Sequence, residues 1–271
     1  MTLVRSRSET WMDALLLRGL AGFLGILYLP LLVVGIFSFN SGRYQVLPLK
    51  EFSLQWYQNI WRDPAFGEAF GHSILVGVAV SVTATAIGFL GAYALVHSRF
   101  PGKTFLSAIL VTPIAVPGIL LGIALRVYFF RLGWQFSLFS VYLGHLVFSI
   151  PLALLLMRSR LRQIPKSLEE AAWDLGAKRW QGMWRVVLPL AFPAVIASLL
   201  LTFTFSFDEF IVAYFLTQFE QTLPIKIWAN LITGFDPTIN AIGSLIVLSS
   251  LTLGAIAQVS FSKFSTRGVS S

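Results

Sequence analysis

The chain has 271 residues, of which 56% are hydrophobic and only 12% charged, and its 20 Lys and Arg against 12 Asp and Glu give a net charge of +8. About a quarter of the residues in a soluble domain are charged, so half that proportion excludes a water-soluble globule. With no polar linker to divide 1–271, it points to a single membrane domain. Cysteine is absent, which excludes disulfide frameworks and thiolate metal sites.

Runs free of Asp, Glu, Lys and Arg cover 19–42, 69–98, 104–125, 132–157, 186–207 and 237–262. Each exceeds the roughly 20 residues that an α-helix needs to cross a hydrocarbon core. The runs are apolar on every face instead of alternating, so helices are expected and barrel strands are not. Six spans follow, at about 16–38, 70–97, 104–127, 138–157, 190–217 and 239–261. The first run is too long for a signal peptide and lacks a small-x-small cleavage site before Asn40, so it is read as a membrane helix.

With the amino terminus inside, 14 basic residues fall on cytoplasmic stretches and five on external ones, which predicts that both termini are cytoplasmic. The positive balance is therefore topological and needs no nucleic-acid partner. Between the first two spans, 41–71 mixes Phe52, Leu54, Trp56, Tyr57, Ile60 and Trp61 with polar residues. That pattern suits either a short interfacial helix or an aromatic belt.

Thr112, Pro113, Pro117, Gly118 and Gly122 in the third span, and Pro151 in the fourth, can kink or open helices, or serve close helix packing. Arg126 is expected to snorkel outward beside Tyr128, Phe129 and Phe130, the other option being a pair with Asp208 or Glu209. His145 is expected to be a hydrogen-bonded packing residue, because no second His lies at a metal-binding interval. Gly102-Lys103-Thr104 ends like a phosphate-binding loop, but His97 stands where the first glycine belongs and the tripeptide lies between membrane helices. It is read as a turn.

The loop 158–189 carries seven basic residues up to Arg185 and an ordered helical pattern. Pro165 can open a helix, Ser167 can cap near its start, and Glu169 and Glu170 occupy the first turn, where the helix dipole favours negative charge. Ala171, Ala172 and Gly176 give a low surface, while Trp173, Trp180 and Trp184 offer large anchors. An exposed helix of this kind suits docking, or is an ordinary interfacial helix.

Asp208 and Glu209 are adjacent acids flanked on both sides by membrane-type sequence. A carboxylate in mid-membrane costs on the order of 2.5–3.5 kcal/mol on insertion scales, so it is expected to be partnered or to face a wet cavity. The competing reading has them snorkelling at a helix end. Tyr214 and Trp228 offer π faces to a cation, or belong to an interface belt. A catalytic acid at Asp208 would need a second intramembrane acid on another helix, and none is available.

Glu170-Ala171-Ala172, Gly176 six positions after the glutamate, and Val186-Val187-Leu188-Pro189 together resemble the EAA loop of ABC importer permeases, with Val186 where Ile is usual. Within that superfamily, the chain is most similar to the PotC-like permeases of spermidine/putrescine importers. The further segments that carry the likeness are Phe52-Ser53-Leu54-Gln55-Trp56-Tyr57, His145-Leu146-Val147-Phe148-Ser149-Ile150-Pro151, Ser206-Phe207-Asp208-Glu209-Phe210, Leu223-Pro224-Ile225-Lys226-Ile227 and Pro237-Thr238-Ile239-Asn240-Ala241. Asp208-Glu209 departs from the Asp-Asp expected in that branch.

The resemblance implies an all-α, polytopic, six-helix type I ABC importer permease fold in a bacterial inner (cytoplasmic) membrane. It assigns Glu170, Ala171, Ala172 and Gly176 to a coupling helix that seats on a separate ATPase. Asp208, Glu209, Tyr214 and Thr112 are the candidates for the substrate pathway. The implied partners are a second, non-identical permease, two ATPase copies that hold ATP and Mg, an external substrate-binding protein and membrane lipid. No cofactor, metal site or covalent chemistry is expected in this chain. Polyamine is the expected substrate, with an amino-phosphonate, another amine or an iron complex as the alternative.

Overall fold

Backbone N–H and C=O groups find no water inside hydrocarbon, so apolar stretches satisfy them internally as helix. The structure, a computed structural model, describes residues 7–233, 236–249 and 251–252, with side chains from residue 15 onward. Helices account for nearly all of its regular structure, and among the described residues the one β feature is an isolated bridge between Asn40 and Phe52. The positions from 253 onward, which hold the end of the sixth expected span with Lys263 and Arg267, lie outside the described residues, as does Arg5.

In chain order the helices are α1 (Arg7–Phe37), α2 (Gln55–Arg62), α3 (Pro64–His97), α4 (Lys103–Val111), α5 (Gly118–Arg131), α6 (Leu138–Leu161), α7 (Lys166–Asp174), α8 (Arg179–Gly182), α9 (Leu188–Asp208), α10 (Ile211–Leu216), α11 (Leu223–Thr233) and α12 (Thr238–Ser249). Four uninterrupted helical stretches are long and apolar enough to cross a membrane: Leu15–Phe37, Pro64–His97, Leu138–Leu161 and Arg179–Asp208. A fifth is a broken pair, Lys103–Ala115 and Gly118–Arg131, bent by 103°. The break falls at Thr112–Pro117, where Pro113 and Pro117 each remove a helical N–H donor and restrict the preceding residue. The expected continuous span 104–127 is therefore an α4–turn–α5 unit, whereas Pro151 sits inside an unbroken α6.

Two compact units are present. The first, formed by the described parts of 1–63 and 233–252, joins α1, α2 and α12. Its polar centre is Asn40, whose carbonyl accepts from Trp56 Nε1 at 2.7 Å and whose Oδ1 accepts from the Lys50 amide at 3.0 Å. Phe39 stacks on Phe52 at 5.0 Å, and Ser38 and Tyr57 share a 2.8 Å hydroxyl contact. These bonds hold α2 as the short helix that the 41–71 composition suggests, with Ile60 buried and Trp61 82% exposed.

The second unit, containing 64–232, is built on α3, α6 and α9. Val76, Val80, Ala84, Val141, Leu146 and Ala153 fill one core, and Phe89, Ala92, Met157, Leu161, Val187 and Ala191 a second. Close approach depends on small residues, as is usual between membrane helices. A Cβ at Gly88 would lie 2.6 Å from Ala153 Cβ and 2.9 Å from the Ala153 carbonyl carbon. Hydroxyls bridge the helices, buried from Thr85 to Ser198 at 2.9 Å and from Ser206 to His145 Nδ1 at 2.8 Å, and half-buried from Tyr142 to Thr83 at 3.0 Å. His145 is thus a packing residue held by a hydrogen bond, as its solitary position suggests.

Candidate functional site

The expected docking helix is α7. Pro165 stands at its N-cap in extended geometry and Glu169 lies in its first turn. At the other end Gly176 adopts φ +88°. Its amide donates to Trp173 O at 2.8 Å, and the Ala177 amide donates to Ala172 O at 3.0 Å. This is a Schellman closure, whose left-handed residue is easily supplied only by glycine. The glycine of the motif therefore has a local physical reason: it ends α7 and turns the chain toward α8.

Glu170, Ala171 and Gly176 are exposed and Ala172 is half-buried, so the four motif residues form an accessible low surface. Around them Leu175 is 91% exposed and Trp180 57%. Apolar groups this exposed on a charged loop outside the spans form a patch of the kind that marks an interaction surface. The adjacent Glu169, which the motif does not include, is only 2% exposed. Its Oε1 accepts from Tyr93 Oη, and its Oε2 lies 3.3 Å from His97 Nε2. Gly182 lets α8 press close, since a Cβ there would meet Trp173 Nε1 at 3.0 Å and Glu169 Cγ at 3.1 Å. A cavity of about 530 Å³ opens beside this cluster, lined by Lys166, Glu170, Trp173, Arg179 and Trp180 among others. Sequence reading placed Glu169 in the first turn but gave it no functional role. Its only signal was a second acid one position, or about 100° of helix, before the motif glutamate.

The second candidate cluster is the acidic pair. Asp208 is the last residue of α9 and is exposed, while Glu209 leaves the helix at ψ 114°. Glu209 Oε1 accepts the Val212 amide at 2.9 Å, capping α10. The expected span 190–217 is therefore two helices with the acids at their junction, and only Asp208 keeps a carboxylate without a capping role. A carboxylate stabilises the N-terminal turn it caps, both by satisfying an orphan N–H and by opposing the helix dipole.

Tyr214 is 49% exposed, and its ring lies 5.4 Å from Phe210, which in turn lies 5.5 Å from Trp228. Thr112 is exposed at the α4 break and returns its hydroxyl to Ala108 O at 2.8 Å. The structure thus brings Asp208, Glu209 and Tyr214 onto one short stretch around the α9–α10 junction and leaves Thr112 on a separate element. Arg126 is exposed and does not use Asp208 or Glu209 as its partner: its Nη1 donates to Phe215 O at 2.6 Å, and its guanidinium lies 4.6 Å over the Phe136 ring. No group of three or more His, Cys, Asp and Glu occurs among the described residues in an arrangement that could hold a metal ion.

This architecture matches known proteins over most of its length. The spermidine/putrescine permease PotC of Escherichia coli K12 is 34% identical over 247 residues, 90% of this chain and 93% of that protein. The putrescine permease PotI of the same strain is 32% identical over 259 residues, 93% and 88% of the two chains. A chain of a bacterial ABC transporter involved in the import of the acidic polysaccharide alginate superposes with a TM-score of 0.72 at 24% identity, covering 97% of this chain and 100% of that one. Residues 84–267 match the sequence profile described as the binding-protein-dependent transport system inner membrane component. The chain belongs to that family and is an ABC importer permease subunit, a membrane transport component and not itself an ATPase.

Proposed function

We propose that this chain forms half of the translocation pathway of an ATP-driven importer of small organic polycations of the spermidine/putrescine class, working by alternating access. The observation that carries the substrate class is the 34% and 32% identity, across about nine-tenths of the chain, to a permease of a spermidine/putrescine transport system and a permease of a putrescine transport system. The local chemistry is compatible with it. Asp208 presents an exposed carboxylate at a helix junction, with aromatic rings at Phe210 and Tyr214 on the following turn, which are groups that attract ammonium ions electrostatically and through their π faces.

In this reading the loop 158–189 is the coupling loop, and Glu170, Ala171, Ala172 and Gly176 present the surface that seats on the ATPase. Two ATPase copies supply ATP and Mg, a second permease of different sequence completes the pathway, and an external binding protein delivers the solute. Six spans with both termini cytoplasmic complete the topology. The low, glycine-closed profile of α7 and the exposed Leu175 and Trp180 support a protein docking role.

The test is uptake of labelled spermidine and putrescine by the complete reconstituted complex, with the native chain, Asp208→Asn or Glu170→Arg. Polyamine uptake that falls with Asp208→Asn and is lost with Glu170→Arg, while the complex still assembles, supports both halves of the reading. Uptake of some other solute alone removes polyamine as the substrate. Normal transport by Glu170→Arg removes the coupling assignment.

A further inference from the structure

Among the described residues Glu169 is the only buried acid, with its side chain enclosed between α7, α8 and the end of α3. A buried carboxylate is costly unless partners satisfy it. Both of its partners, Tyr93 and His97, are one turn apart at the end of α3, with rings stacked at 4.4 Å. The chain itself ties α7 to two of the three core helices, through 162–165 to α6 and through α8 and its following turn to α9. Nothing in the chain path ties it directly to the third. Among the described residues, the Tyr93 hydrogen bond and the 3.3 Å His97 contact that join α7 to α3 both end on Glu169.

We infer that Glu169 is a positioning residue that pins the coupling helix to α3, so that displacement of α7 moves all three core helices together. This rests on the coupling role proposed for α7. The division of labour between neighbours follows from helix geometry: residues one apart point about 100° away from each other, so Glu170 faces outward while Glu169 faces Tyr93 and His97 at the end of α3. The cavity of about 530 Å³ is itself lined by Tyr93, His97 and Glu169 together with Lys166 and Trp173, so the pin stands at an open edge between α3 and α7. Such a link acts in both directions, since coupling between two sites is reciprocal. Rearrangement of α3 on the external side would then be felt at the ATPase surface through the same residue.

The test uses the whole reconstituted complex and reads solute uptake per ATP hydrolysed, together with co-purification of the ATPase. The variants are Tyr93→Phe, which removes only a hydroxyl, Glu169→Ala, Glu169→Gln, which keeps an acceptor for Tyr93, and Glu170→Arg as reference. The expected result is uptake per ATP lowered roughly 2- to 30-fold in Tyr93→Phe and Glu169→Ala, with the ATPase still co-purifying and with much of the loss restored in Glu169→Gln. Native uptake per ATP in both Tyr93→Phe and Glu169→Ala overturns the inference, and if Glu170→Arg is still uncoupled the coupling reading itself stands. Loss of the ATPase from Glu169→Ala also overturns it, by making Glu169 a shaper of the docking surface. Normal transport by Glu170→Arg removes the reading and the inference with it.

Discussion

Arg126 and Phe215 are joined by a 2.6 Å hydrogen bond from guanidinium to main-chain carbonyl, across 89 positions of sequence. Phe215 lies in the last turn of α10, where carbonyls lack helical partners and a cation complements the dipole. The arginine therefore fastens α5 to the end of α10. Gly122, one turn earlier on α5, lets the Phe215 ring approach so closely that a Cβ there would lie 2.7 Å from its Cδ2.

Replacing Arg126 with Gln should lower the thermal stability of the purified subunit by roughly 1 kcal/mol, the net worth of an ordinary hydrogen bond. Asp208→Asn should not reproduce that loss. Equal destabilisation by both, measured by unfolding in one detergent, would restore the Arg126–acid pair in place of the carbonyl contact.

At the α3–α6 crossing, Gly88→Ala should cost about 1–3 kcal/mol through overpacking, and Gly88→Leu should prevent folding. Gly71→Ala, on the same helix with open space around its Cβ position, should be close to neutral. Folded yield by size-exclusion chromatography separates the cases.

Gly176→Ala places a Cβ at φ +88° and should cost about 1–2 kcal/mol, fraying the end of α7. Limited proteolysis should then cut 158–189 faster than in the native chain, with Gly176→Asn intermediate because Asn tolerates the left-handed region better.

The two acids should separate by assay. Glu209→Gln replaces a charged cap of α10 with a neutral one and should cost about 0.5–1 kcal/mol of stability. Asp208→Asn should leave stability near native while lowering polyamine uptake. The reverse pattern would exchange their roles.

The features that were legible in the sequence are those written in residues with a single strong conformational habit. Pro165 and Gly176 bracket α7, and Pro113 and Pro117 mark the place where the third span breaks, though not how sharply. The end of α9 was illegible because neither Gly nor Pro stands between Ala194 and Leu216, and the device that ends it is a carboxylate reaching forward to the Val212 amide. The contact of Arg126 was illegible for a similar reason: its acceptor is a main-chain oxygen, which every residue has, so no side-chain partner could signal it. Glu169 and Glu170 differ only in which face the rest of the fold covers, and that is decided by Tyr93 and His97, more than seventy positions away.

The bend at Thr112–Pro117 also bears on the life of the chain before assembly. Thr112 and 114–117 are exposed in the isolated subunit, and Pro113 withholds the amide that a continuous helix would offer to Ile109 O. Irregular backbone at membrane depth is tolerated only against protein or beside water. An orphan copy would present this kink directly to acyl chains, so its steady-state abundance should track the supply of whatever covers it. Quality-control proteolysis, not transport, would be the first process to register a missing partner.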